Sequence, residues 1–165
     1  MARACSFILL LVILFAFGCG ESVEEKAMEK KIEESSGGKA NVDLTEKGMN
    51  ITGETEKGKY SFSSGESIEI PKEFPADVLV YRPSKAVMAM KMPEGHSVSL
   101  ITTHDATEVK NAYQQQMKAK GWSEETSMNM NAQAVLMYKK EDRVVNIVIA
   151  KADDGTQVSV TVSTD

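Results

Sequence analysis

DATEVKNAYQQQMKAKGW, residues 105–122, is the stretch on which the reading of the fold turns. Asp105 is a good N-cap, because its short carboxylate can accept from the free N–H groups of a first helical turn. Glu108 stands where a capping box wants its acid. Ala106, Val109, Ala112, Tyr113 and Met117 recur at three- and four-residue spacing, which draws one apolar stripe. Gly121 offers the left-handed residue that ends a helix, and Trp122 is positioned to cap a core at the helix exit. A single helix over about 105–120 therefore follows. Its stripe needs a cover, and the rest of the chain supplies strands.

Downstream, the apolar runs 134–138, 144–150 and 158–162 are separated by Glu141-Asp142 and Asp153-Asp154-Gly155. Val158, Val160 and Val162 alternate with Ser159, Thr161 and Ser163, the pattern of a sheet with one buried and one wetter face. Upstream, 86–92 and 97–103 flank Pro93-Glu94-Gly95-His96, and 49–52 and 59–62 flank a Gly-rich link; both read as hairpins. Ser63-Ser64-Gly65 reads as a turn, Ser67-Ile68-Glu69-Ile70 as a short strand, and 71–77 as a connector stiffened by Pro71 and Pro75. The fold class is α+β: an antiparallel β-sheet built from hairpins, with one main helix packed on one face.

The amino-terminal end differs in texture. Arg3 precedes an uncharged run, 5–17, closed by Gly18-Cys19. That suits the apolar core of a signal peptide and is short for a spanning helix, which needs roughly 20 residues. Ala16-Phe17-Gly18 fits an ordinary cleavage site. Ala16-Phe17-Gly18-Cys19 also resembles the bacterial lipobox at Gly18 and Cys19, departing from it at Ala16, where leucine is usual. The resemblance implies lipid attachment at Cys19, with palmitate-type acyl chains holding the protein to a membrane; each buried CH₂ contributes about 0.8 kcal/mol. Gly20, rather than aspartate, follows the cysteine, which in lipoprotein sorting favours the outer membrane, facing the periplasm. The expected organisation is a signal peptide at 1–18, a lipid-anchored acidic tether at 19–40 and one α+β domain at 41–165. A short solvated helix over 22–34 competes with a flexible spacer inside that tether.

Of 165 residues, 147 remain after the leader, enough for one domain. The net charge is −5, and Arg3 is the only charge in the leader, so the remainder carries −6. Mild acidity argues against nucleic acid as a partner. Cys5 lies in the leader and Cys19 at its end, so the domain has no cysteine pair and stands on its apolar core.

Phe74-Pro75-x-Asp77-Val78 leading to Tyr81-x-Pro83, a Thr-rich strand end before Asp105, the helix, and Gly121-Trp122 before three strands form an ordered set. Over residues 49–162 this layout resembles a group of small, uncharacterised bacterial lipoproteins. The resemblance implies an envelope location and supplies no catalytic residue and no cofactor.

No enzyme is expected. His96 reads as a turn residue and His104 as the neighbour of the helix cap, both exposed. No Gly-x-Ser-x-Gly elbow is present, and Asp153-Asp154-Gly155 lacks the alternating ligands of a calcium loop. The unusual feature is methionine. Met88, Met90 and Met92 share one face of one strand, with His96 close in sequence and Met128-Asn129-Met130 further on. Thioethers suit Cu(I), which makes a soft-metal carrier the alternative function. The plainer reading is that the three methionines fill the core beneath the helix. The leading function is a membrane-anchored binding or scaffolding domain that meets an envelope protein, with strand addition at a sheet edge as one docking mode.

Overall fold

The computed structural model describes residues 30, 31, 34, 40–45, 47–131, 133–153 and 155–164. The expected leader, Cys19 and most of the expected tether lie outside the described residues. Among the described residues nine strands form one antiparallel sheet: β1 (Ala40–Thr45), β2 (Gly48–Thr55), β3 (Gly58–Gly65), β4 (Lys85–Met92), β5 (Gly95–Thr102), β6 (Ser123–Met130), β7 (Gln133–Lys140), β8 (Arg143–Ala152) and β9 (Gly155–Thr164). The helix α1 (Ala106–Ala119) lies between β5 and β6 in the chain. The order across the sheet is β1-β2-β3-β4-β5-β9-β8-β7-β6. A five-strand meander thus runs inward to β5, α1 carries the chain to the far edge, and a four-strand meander returns until β9 pairs with β5. The architecture is α+β, with α1 packed on one face.

The helix forms as its sequence dictates. Asp105 accepts from the Thr107 N–H at 2.8 Å, and Gly121 takes a φ of +82°, which glycine adopts without strain. Trp122 N–H then reaches back to the Met117 carbonyl at 3.1 Å. Val109, Tyr113 and Met117 are fully buried against Leu136, Ile147, Ile149, Val158 and Val160. The connector between β3 and β4 shares this face. Phe74, Val78, Leu79 and Tyr81 join the same cluster, and the Leu79 N–H points at the Met117 sulfur, 3.4 Å away.

Four local expectations need correction. Ser63-Ser64-Gly65 is not a turn: β3 runs through it, with Ser64 opposite Met49. Gly65 serves close approach instead, since a Cβ there would come within 2.5 Å of the Lys47 carbonyl oxygen. Ser67 to Ile70 is not a strand. Its one ladder-like bond runs from Ile68 N–H to the Ala86 carbonyl, 2.8 Å, and Pro71 then removes a donor. Ala40–Thr45 is a strand, so the sheet begins one residue inside the expected tether, where Lys30, Lys31 and Glu34 are helical and exposed. Four strands, not three, follow the helix. The additional one is the edge strand β6, exposed at every position except Thr126.

Candidate functional site

Register decides which residues share a face, because directly opposed residues in an antiparallel pair project to the same side. Ala89 opposes Val98, and Ala86 opposes Leu100, all on the helix side. Met88 opposes Ser99 and Met90 opposes Ser97, so Met88, Met90 and Met92 point away from the helix. The register shift between Ala86 and Met88 takes up Val87 as an extra residue. The expectation that these methionines fill the core beneath the helix is therefore wrong. Two alanines take that role, because the Phe74 to Tyr81 connector already occupies the space above them.

Following the pairs outward, Met49, Met128, Met130 and Met137 also lie on the face turned away from α1. Of the methionines in the nine strands and the helix, only Met117 belongs to the core. Across this free face run two rows that take two residues from each of the nine strands. One row is Val42, Ile51, Phe62, Met90, Ser97, Thr161, Asn146, Met137 and Thr126. The other is Leu44, Met49, Ser64, Met88, Ser99, Ser159, Val148, Val135 and Met128. None is charged, in a chain of which 26% is charged. Only Val42 and Ser99 among them are buried.

The band is patterned. At its centre, Ser97 bonds Thr161 and Ser99 bonds Ser159, each at 3.1 Å across β5 and β9. The hydroxyls form a polar spine, with an apolar shoulder on the β2–β4 side and a mixed one on the β8–β6 side, where Val148, Val135, Met137 and Met128 lie with Asn146 and Thr126. On the β2–β4 shoulder a groove of about 420 Å³ opens among Ile51, Tyr60, Phe62, Met90, Met92 and Pro93. Tyr60 lies over Gly53, where a Cβ would come 2.4 Å from its ring, so glycine makes room for the aromatic side chain. The exposed Lys57–Glu94 ion pair, 2.7 Å, stands at the rim.

The polar chemistry gathers on the helix side. His104 Nδ1 lies 2.7 Å from the Tyr81 hydroxyl and 2.9 Å from Glu108 Oε1. Glu108 thus turns to His104 rather than closing a capping box. Burial, and then the Glu108 charge, push the Tyr81 phenol above its ordinary value, which keeps it protonated. Among the described residues no serine hydroxyl bonds a histidine ring. His104 is half-buried, not an exposed loop residue, and its carbonyl accepts from Thr156.

His96 is a β5 residue, also half-buried, whose ring meets the edge of Phe74 at 6.2 Å. It projects to the helix side, as Val98 and Leu100 do, so the sheet separates it from Met88, Met90 and Met92. Burial pushes its imidazole below the ordinary value. The sequence brought His96 near the methionines in number; the pleat sends them to opposite faces.

A second polar cluster is a clasp. Asp77 accepts from both Arg143 guanidinium nitrogens at 3.0 and 2.7 Å and from Lys140 at 2.9 Å. Arg143 lies over the Trp122 ring, 4.9 Å from its centre, and the Trp122 indole N–H donates to the Asp77 carbonyl at 2.9 Å. Connector, helix exit and the β7–β8 hairpin are joined there. The Arg143 hydrogen bonds hold the Asp77 carboxyl well below the usual carboxylate range. Sequence reasoning passed over this cluster because its members are 66 residues apart; an aspartate in an apolar, proline-flanked connector was the available signal.

Among the described residues, no group of three His, Cys, Asp or Glu side chains is arranged to hold a metal ion, and no helix is long and apolar enough to cross a membrane. No curated protein and no solved structure matches the chain. A family model described as START domain-like matches residues 85–165, so that the stretch from β4 to the carboxyl-terminal end, just under half of the chain, is similar to that family.

Proposed function

We propose that this protein is a non-enzymatic binding domain, held at a membrane of the bacterial envelope by acyl chains on Cys19, and that its working surface is the free face of the sheet. The uncharged band across all nine strands carries this reading. A sheet face meant for water carries charge, whereas a face depleted of charge at its centre and charged at its rim has the composition of an interface. Lys85 and Lys139 stand at that rim. Methionine suits such a surface, since its flexible thioether adapts to the shape of what it meets. The START domain-like match over residues 85–165 supports a ligand-binding role of some kind. The helix-side polar clusters support the absence of catalysis: Tyr81, His104 and Glu108 meet one another, and Asp77, Lys140 and Arg143 tie elements together.

Two measurements test the proposal. Intact mass of the full chain recovered from membranes is expected to show acyl chains on a chain that begins at Cys19; a bare thiol or a retained leader would remove the anchor. A photo-reactive residue at Met90 is expected to cross-link in cells where one at Glu69 does not. Equal yields at both positions would remove the surface.

The clustering of methionines supports a second reading, a Cu(I) carrier. His96 takes no part in it, so the ligands would be thioethers alone. Failure of the full chain to take Cu(I) from a competing chelator would exclude it.

A further inference from the structure

We infer that the free face is closed by the same face of a second copy of this chain, giving a two-fold, sheet-on-sheet dimer. The inference rests on the free face being the working surface, and it names what covers that surface.

Area comes first. Nine strands at about 4.8 Å spacing and eight residues at about 3.3 Å rise span roughly 40 by 26 Å. That is about 1,000 Å² on one partner for the whole face, rim included, of which the two uncharged rows are about half, against the roughly 800 Å² per partner of a standard interface, whose rim is also counted.

Charge comes second. Two uncharged rows offer a charged partner nothing to pair with. The same rows set against themselves bury no charge and leave the Lys-bearing rim in water.

The pattern is third. A two-fold interface must be complementary to itself. Here an apolar shoulder, a hydroxyl spine and a mixed shoulder follow one another across the sheet. A two-fold axis lying in the interface and running across the strands, between the two rows, lays each strand over its own copy and sets Ser97 and Thr161 against hydroxyls of the partner. It also sets Met90 over Met88 of the partner subunit and Ile51 over Met49 of the partner subunit. Facing sheets pack about 10 Å apart, a gap that methionine side chains from both sides fill.

The test uses the full chain. Thr161→Cys, on the spine, is expected to be linked into a dimer by a short bis-maleimide, since sheets about 10 Å apart hold the two thiols beyond the reach of a disulfide. Lys151→Cys, exposed on the helix side, is expected to give about tenfold less, both judged against the unsubstituted chain. Adding Met90→Glu to Thr161→Cys is expected to reduce the linked dimer about tenfold with an unchanged circular dichroism spectrum. Ser64→Glu serves the same purpose if Met90→Glu fails to fold. Equal linkage at positions 161 and 151, or linkage that survives a carboxylate at 90 or 64, would overturn the dimer. If Thr161→Cys stays monomeric while a photo-reactive residue at Met90 captures another protein, the dimer is overturned and the working surface stands. If neither position links to anything, both readings fall.

Discussion

Asp77 shows how a single side chain holds three elements at once. Its carboxylate meets Arg143 and Lys140 while its carbonyl receives the Trp122 indole N–H. Asp77→Asn keeps the shape and removes the charge from a half-buried site, so a loss on the order of 2 kcal/mol is expected, as for hydrogen bonds to charged groups. Thermal unfolding checks it, and an unchanged midpoint would contradict it. The pH dependence has a fixed sign. Arg143 holds Asp77 below its ordinary value of 3.8, and the Thr107 backbone N–H does the same for Asp105. A carboxyl held low in the folded chain contributes in full above the unfolded value and loses that contribution as the pH falls through its folded value. Below about pH 4 the unsubstituted chain is therefore expected to lose stability more steeply than Asp77→Asn; parallel curves would contradict this. Tyr113 is the opposite case. Its hydroxyl is buried beside the Tyr81 backbone without a formed hydrogen bond. Tyr113→Phe is expected to leave stability unchanged or raise it by about 1 kcal/mol; a loss of that size would mean the hydroxyl is paired.

At the scale of elements, strand β4 carries the difference between sequence and structure. Alternation correctly put Met88, Met90 and Met92 on one face, but alternation does not say which face is inside. Hydropathy favoured the methionines, whereas tertiary packing chose Ala86 and Ala89, because the connector lies close above them. Ala89→Leu is expected to overpack that site and destabilise by about 1–3 kcal/mol. Met88→Ala on the free face is expected to cost less, and unfolding in denaturant separates the two; the reverse order would return the methionines to the core. Helix α1 was legible because cap, stripe and terminal glycine agree locally. Strand β6 was not, since an exposed edge strand lacks the alternation that burial imposes. The Tyr81–His104–Glu108 group was hidden for a different reason: Tyr81 arrives from 23 residues away.

For the whole molecule, the two faces of one sheet have divided the work. The helix side holds the core and nearly all the paired polar chemistry, and it makes the domain stable without a disulfide. The opposite side is uncharged across its central band, rich in methionine and without a covering element among the described residues. Oxidative labelling of methionines in the full chain over a range of concentrations tests this division most directly, since the reaction follows thioether exposure. The account predicts that Met90, Met128 and Met137 take oxygen in dilute solution and become protected as concentration rises, while Met117 stays unlabelled throughout. Labelling of Met117 in step with the others, or free-face labelling that ignores concentration, would contradict it.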